Sequence, residues 1–267
     1  MSTVNLHNTD RSHTDDAPAR GMALNVVAWT EASIRCFGVR TFRTGGLWWR
    51  APGGSPIYLH AAIIDPHAPD AELHANLQHA QTAWAGKGLH IWDCWATRDL
   101  SSLGFRRQWQ STWYWRPPSA PLPASDLPPG LIIETVTTVD QLAAFEQATV
   151  AGFAEPDETV APVAAFSQHA AATLDDPDMV YLNARLDGQV VASVIAHATG
   201  DALGLYGLST LPSFRRRGYA SALVAAVVAL RPDLPVCVQP DPPTVPIYTR
   251  IGFVPGGQIA AWQSAAV

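Results

Sequence analysis

The chain has 267 residues, of which 48% are apolar, and its formal net charge is −6. The apolar content is enough for one large or two smaller domains, and the negative charge argues against a general nucleic-acid-binding protein. Cys36, Cys94 and Cys237 are isolated, which argues against a disulfide framework or a zinc site and suits a reducing cytoplasm. No uncharged apolar run is long enough to span a membrane and no signal pattern is present, so we expect a cytoplasmic protein that does not contact membranes.

Residues 1–22 are polar and lack apolar periodicity, which predicts a disordered tail. A first globular half follows, over residues 23–116, with mixed helices and strands. Helices are predicted at Ala23–Phe37 and Pro69–Ala85, and strands at Val39–Arg43, Leu47–Arg50, Ile57–Ile64, Leu89–Cys94 and Arg107–Trp115. The alternation of the last strand puts Trp109, Trp113 and Trp115 on one face.

The stretch that follows Arg116 is rich in proline, which suits neither a helix nor a central strand. We therefore predict a semi-rigid linker over residues 117–130, and a domain boundary at this point.

The second half, over residues 131–267, opens with a predicted strand at Leu131–Val136. Thr138 and Gln141 form a capping box for the helix that follows, and Asp187-Gly188 predicts a hairpin turn. The remaining predicted order is a helix near residues 160–174, strands at Met179–Leu186, Gln189–His197 and Ala202–Thr210, a helix to Leu230, a strand at Pro235–Gln239, a short helix and a strand from Phe253.

An arginine-rich turn joins the strand that ends at Thr210 to a helix rich in Ala, Val and Leu. The turn and the first helical residues are Arg215, Arg216, Arg217, Gly218, Tyr219, Ala220 and Ser221. The amide groups of a helix N-terminus have no intrahelical partner, and guanidinium groups bind phosphate in a bidentate manner. Gly218 allows a ligand to approach the backbone closely, so the turn is a candidate phosphate site.

The pattern Arg215-x-x-Gly218-x-Ala220 resembles the acetyl-CoA motif of the GNAT N-acetyltransferase superfamily. The element order β-α-α-β-β-β-α-β-α-β of the second half is similar to that family's fold. Asp241–Phe253 resembles the family's C-terminal motif, with Tyr248, Gly252 and Phe253 at matching spacing and Asp241 where many relatives have Asn. The resemblance implies an α/β fold with a mixed sheet, acetyl-CoA as co-substrate, no metal, and acetyl transfer to a primary amine.

The resemblance also implies roles for individual residues. Tyr248 would be catalytic, donating a proton to the thiolate that leaves. The residues implied in acetyl-CoA binding are Leu208, Ser209 and Thr210 for the pantetheine arm, Arg215, Arg216, Arg217, Gly218, Tyr219, Ala220 and Ser221 for the pyrophosphate, and Asp241. No residue is marked as the general base; the candidates are Glu155, Asp157, Glu158 and His197, or a water held by Tyr206. Cys237 lies in an apolar strand, and we interpret it as a packing residue.

The ends of the two halves are similar to each other. Gly104-Phe105 recurs as Gly252-Phe253, 252 − 104 = 148 residues later. This predicts two GNAT-like domains in tandem. The first half lacks the Arg-x-x-Gly-x-Gly/Ala pattern and has acidic residues within 65–71, where phosphate would lie, so we expect it to be degenerate.

The acceptor stays open as a small-molecule or peptide amine, and no pattern specifies an oligomeric state. Two alternatives remain beside the acetyltransferase. One is a non-catalytic module that senses CoA or another ligand, because no base is evident; the other is an acyltransferase with a longer acyl donor.

Overall fold

The computed structural model describes residues 17–53, 59–118, 120–123, 127–154 and 171–266. Its helices are α1 (Ala17–Ile34), α2 (Asp70–Ala83), α3 (Val139–Phe153), α4 (Tyr219–Leu230) and α5 (Val245–Thr249). Its strands are β1 (Thr41–Thr44), β2 (Leu47–Arg50), β3 (Ala61–Ile63), β4 (His90–Asp93), β5 (Phe105–Arg116), β6 (Ile132–Thr135), β7 (Met179–Leu186), β8 (Gln189–Ala198), β9 (Leu203–Thr210), β10 (Val236–Val238) and β11 (Val254–Ser264). None of the helices within these ranges is long and apolar enough to cross a membrane.

Local signals in the sequence explain several element boundaries. The Thr138 hydroxyl accepts from the Gln141 N–H, and the Gln141 side chain accepts from the Thr138 N–H, which confirms the predicted capping box of α3. The start of α1 corrects the predicted tail, because residues 17–22 are helical and bury Ala19 and Met22. Residues 1–16 and most of the predicted helix at 160–174 lie outside the described residues.

The eleven strands of the described residues form one mixed sheet in the order β1-β2-β3-β4-β11-β5-β10-β9-β8-β7-β6. The last strand of each half, β5 or β11, pairs with strands of the other half. β11 lies between β4 and β5, which both belong to the first half, and β5 lies between β11 and β10, which both belong to the second half.

The pairing of β5 with β11 is nearly symmetric. These antiparallel strands carry one bulge each, at Gln108 in β5 and at Gly256 in β11. The two bulge residues are 256 − 108 = 148 positions apart, the same offset that relates Gly104 to Gly252. An approximate two-fold axis therefore runs between the two strands.

The order of elements is also similar in the two halves, although α5 has no α-helical counterpart in the first half. The first half runs α1, β1, β2, β3, α2, β4, β5, and the second runs α3, β7, β8, β9, α4, β10, α5, β11, after the additional edge strand β6. The predicted fold class is confirmed as a mixed α/β sheet made of two similar halves.

Helices cover both faces of the sheet. On one face α1 packs against Trp113 and Cys237, with Trp109 and Trp115 beside them, so the three tryptophans share a face as predicted. α3 lies on this same face, because its Phe145 packs in one cluster with Ala32 of α1. On the other face α4 packs on strands of the second half, whereas α2 packs on strands of the first half and on β11. Burial of these apolar side chains is the main force that holds the two halves together.

Candidate functional site

A cleft of about 1070 Å³ opens where two parallel strands separate. β9 and β10 pair only through Leu203 with Val236 and Gly204 with Cys237. β9 continues to Thr210, whereas β10 ends at Val238. The second half of β9 therefore turns an unpaired edge toward the cleft, and backbone groups there can bind a ligand.

A β-bulge lies at the centre of this free edge. β8 advances two residues from Ser193 to Ile195 while β9 advances three from Tyr206 to Ser209. Gly207 provides the extra length in the left-handed region, with a φ of +58°. Bulges interrupt the regular ladder and redirect backbone groups, which is why they recur beside active sites. Leu208, Ser209 and Thr210 all line the cleft, and this brings the residues predicted for the pantetheine arm to one wall.

The turn before α4 forms one end of the cleft. Arg216 has a φ of +62° and Gly218 a φ of +86°, so two residues in the left-handed region bend the backbone into the start of the helix. The first helical hydrogen bond runs from the Ala222 N–H to the Gly218 carbonyl. The amide groups of residues 219–221 precede it and have no helical partner, and the helix dipole adds partial positive charge there.

The arginines of this turn make different contacts. The Arg215 side chain lines the cleft and donates to the carbonyls of Thr210 (3.2 Å) and Gly152 (3.0 Å), which ties the end of α3 to the end of β9. Arg216 also lines the cleft. Arg217 does not line the cleft, and its guanidinium lies 5.4 Å from the centre of the Phe214 ring. Arg250, which the sequence analysis did not single out, adds a further cation to the lining. This end of the cleft suits an anion.

Tyr248 of α5 also lines the cleft, and it is 97% buried. Its ring packs edge-on against Phe253, with centroids 5.4 Å apart. The Tyr248 carbonyl accepts from Ile251 and Phe253, so the Gly252 turn fixes the position of this residue. Burial raises the pKa of the Tyr248 hydroxyl, and the charge of Asp241 raises it further. Asp241 is exposed and lines the cleft next to α5, which is short, as the prolines in this stretch predict.

The candidates for a general base do not lie together in the cleft. His197 is buried, which lowers its pKa, and it does not line the cleft. Tyr206 lines the cleft, but its hydroxyl donates to the Asn25 side chain at 2.5 Å. Glu155, Asp157 and Glu158 lie outside the described residues. Burial raises the pKa of the Cys237 thiol to about 12, which keeps it unreactive and agrees with its interpretation as a packing residue.

Helix α1 of the first half lines the far end of the cleft with Met22, Val26 and Trp29. It is joined to the second half through Asn25, whose side-chain N–H group donates to the carbonyls of His197 and Ala202, both at 2.9 Å. No motif in the sequence associated α1 with the site. The sequence signal for this contact was Asn25, the polar residue within the apolar run Met22–Trp29.

The equivalent turn of the first half is filled by an arginine. Arg98 donates to the carbonyls of Pro66 and Ala68 and forms an ion pair with Asp70, the first residue of α2. Asp70 stands 218 − 70 = 148 positions before Gly218. At this turn the first half presents carbonyl groups that an internal cation already occupies, whereas the second half presents amide groups to the cleft.

Comparisons with known proteins agree with this arrangement. The family model described as "Acetyltransferase (GNAT) family" matches residues 104–253. No curated protein matches the sequence. Among solved structures, a GCN5-related N-acetyltransferase from Kribbella flavida has a TM-score of 0.69 at 18% identity, over 94% of this chain and 95% of that chain.

Two further structures are similar over nearly their whole length. A GCN5-related N-acetyltransferase from Sphaerobacter thermophilus has a TM-score of 0.55 at 16% identity, covering 93% of this chain and 92% of that one. A tandem GNAT protein from the clavulanic acid biosynthesis pathway has a TM-score of 0.56 at 14% identity, covering 93% and 97%. At these identities the likeness shows the fold, and it extends over both halves of the chain.

Proposed function

The chain belongs to the GNAT family of acetyltransferases, whose members are acyltransferases, and on that premise we propose that it moves an acetyl group from acetyl-CoA to a primary amine. The observation that carries the proposal is the helix N-terminus at Gly218, which opens into the same cleft that Tyr248 lines. One end of that cleft has groups that suit an anion and the other is lined by apolar side chains, which fits a phosphorylated donor and an organic acceptor.

The donor would be held mainly by backbone groups. The amides at the start of α4, with Arg216 and Arg250 nearby, suit the pyrophosphate. The bulge at Gly207 offers amide groups to the thioester oxygen, where negative charge develops as the amine attacks. The turn of the first half, closed by Arg98, takes no part.

In the reaction the amine nitrogen forms a bond to the acyl carbon and the carbon–sulfur bond breaks. Tyr248 gives its proton to the sulfur, regains one from solvent, and the nitrogen loses one to water. Because burial raises the pKa of Tyr248, the hydroxyl stays protonated through and beyond neutral pH, as an acid must.

Two measurements test the proposal. Acetyl-CoA should raise the melting temperature, because a ligand that binds only the folded state stabilises it. Thiol release should then occur with some members of an amine panel. An increase in melting temperature without turnover on any amine would favour the sensing module. A larger increase in melting temperature with a longer acyl-CoA than with acetyl-CoA would favour the longer acyl donor.

Removing the Tyr248 hydroxyl separates catalysis from binding. Tyr248→Phe should lower kcat by about 10²–10⁴-fold, the usual contribution of a general acid, with little change in the Kd of CoA. Tyr114→Phe, which removes a hydroxyl outside the cleft, is the matched control. Unchanged turnover in Tyr248→Phe would remove this residue from the mechanism.

A further inference from the structure

The far end of the cleft has the composition of a site for a flat apolar group. We infer that the acceptor carries its amine on an aromatic ring system, which lies against Trp92, Trp29 and Tyr206; this rests on the proposed function. The three rings come from β4, α1 and β9, so the first half supplies two of the three walls.

The rings are held in fixed positions rather than free to collapse. Trp29 and Tyr206 stack face to face, with centroids 4.1 Å apart and planes inclined by 6°. The Tyr206 hydroxyl donates to Asn25, which is itself fixed by carbonyls of the second half. Trp92 packs edge-on against Trp109, with centroids 5.8 Å apart. A preformed wall of this kind binds a ligand without the cost of ordering side chains.

The burial of these residues indicates a surface that is kept open. Met22, Val26 and Leu59 around the rings are buried, whereas Trp29, Trp92 and Tyr206 are all only partly buried although they lie between the two halves. All three rings line the cleft. Large aromatic rings that are left partly exposed in a concave site favour ring stacking, beyond the gain from buried area alone.

Charge distinguishes the two ends of the cleft. The charged residues of the described lining are Arg215, Arg216, Arg250 and Asp241, and all four belong to the second half of the chain. The described lining residues that the first half supplies are all apolar or aromatic, namely Met22, Val26, Trp29, Leu59 and Trp92. A second ammonium or a carboxylate on the acceptor would lose its hydration there without a partner, which is costly. An aromatic group that carries one amine therefore fits these described lining residues better than a polyamine or a free amino acid does.

The test compares three amines: 2-phenylethylamine, its saturated analogue 2-cyclohexylethylamine, and spermidine. Binding is measured by calorimetry on the full-length protein saturated with CoA, and KM and kcat by thiol release from acetyl-CoA. We expect 2-phenylethylamine to bind about tenfold more tightly than either of the others. Trp92→Ala should remove this preference, an effect of about tenfold on Kd and KM, without changing the Kd of CoA.

Trp95→Phe is the matched control, because Trp95 does not line the cleft, and it should keep the preference. If Trp92→Ala does not fold, as judged by its melting curve, Trp92→Leu is measured in its place. The inference is overturned if spermidine or the saturated amine binds as tightly as 2-phenylethylamine, or if the Trp92 variant keeps the preference. If 2-phenylethylamine binds selectively but is not acetylated, the aromatic binding site is supported and the proposed acetyltransferase activity is rejected.

Discussion

Gly218 is the residue on which the anion site depends most directly. Its φ of +86° lies in the left-handed region, which costs a residue with a Cβ roughly 1–2 kcal/mol. A Cβ added there would meet only Pro128, at an ordinary contact distance of 3.5 Å. The conformation, and not a lack of space, therefore requires glycine.

Gly218→Ala should lower the free energy of unfolding by about 1–2 kcal/mol and weaken acetyl-CoA binding, because the turn relaxes away from the ligand. Chemical denaturation and calorimetry measure the two effects. Gly200→Ala is the control, since Gly200 has open space around it and no left-handed φ. Equal effects of the two substitutions would contradict this account of Gly218.

A histidine in the first half should make the free energy of unfolding depend on pH. His60 stacks on Trp84 at 3.8 Å, and its Nδ1 accepts from the His90 N–H. Burial, with smaller contributions from the charges of Arg50 and His90, lowers the pKa of His60 to about 3. In the unfolded chain a histidine takes its proton near pH 6.5.

Below pH 6.5 the unfolded state therefore binds a proton that the folded state does not. His60 should therefore lower the stability as pH decreases from about 6.5 toward 3, and its own contribution to the slope is at most about 1.4 kcal/mol per pH unit, less because the ring is partly solvated. His60→Gln should flatten this slope in urea titrations at several pH values. His74→Gln, the same change elsewhere in the first half, tests whether the effect belongs to His60.

At the scale of elements, periodicity and turn chemistry determine most of the structure. β2 and β7 have the predicted bounds, and the hairpin at Asp187-Gly188 and the capping box of α3 are as predicted. These features depend on neighbouring residues in the sequence. The bulge at Gly207 was not predicted, because it is defined by the register of β9 against β8, which involves residues distant in the chain.

The contact between α1 and β9 should control the acceptor end of the cleft. Gly204 leaves room for the hydrogen bond between Tyr206 and Asn25, and a Cβ at this position would overlap both side chains. Gly204→Ala should therefore move α1 away, at a cost of about 1–3 kcal/mol.

We expect Gly204→Ala to raise the acceptor KM more than it changes the Kd of acetyl-CoA, because the donor end does not involve α1. Steady-state kinetics and calorimetry separate the two. Gly200→Ala again serves as the control. A variant in which the Kd of acetyl-CoA changes as much as KM would show that the two ends of the cleft are not independent.

At the scale of the whole molecule, the exchange of β5 and β11 makes each half depend on the other. The recurrence of Gly-Phe predicts two related halves, but local patterns do not specify which strand pairs with which. That choice is made by complementary faces, such as Ala260 and Trp262 of β11, which pack in the core of the first half. The same exchange explains why residues from both halves meet in one cleft.

Two fragments, residues 1–123 and 127–267, should therefore fold together but not alone. Each fragment would lack a central strand and expose three strand edges that are paired in the whole protein, and such edges aggregate readily. Expressed singly, they should be insoluble or lack native circular dichroism; expressed together, they should form a complex that acetyl-CoA stabilises. A second fragment that alone folds and binds acetyl-CoA would contradict this dependence.

The position of β11 also bears on how the protein is made. During synthesis from the N-terminus, β4 and β5 leave the ribosome long before β11, which must later fill the space between them. Until then the nascent first half has open strand edges that other chains can extend. The interval before β11 emerges is thus the period of greatest aggregation risk, and a premature stop codon that removes only this strand would destroy both halves at once.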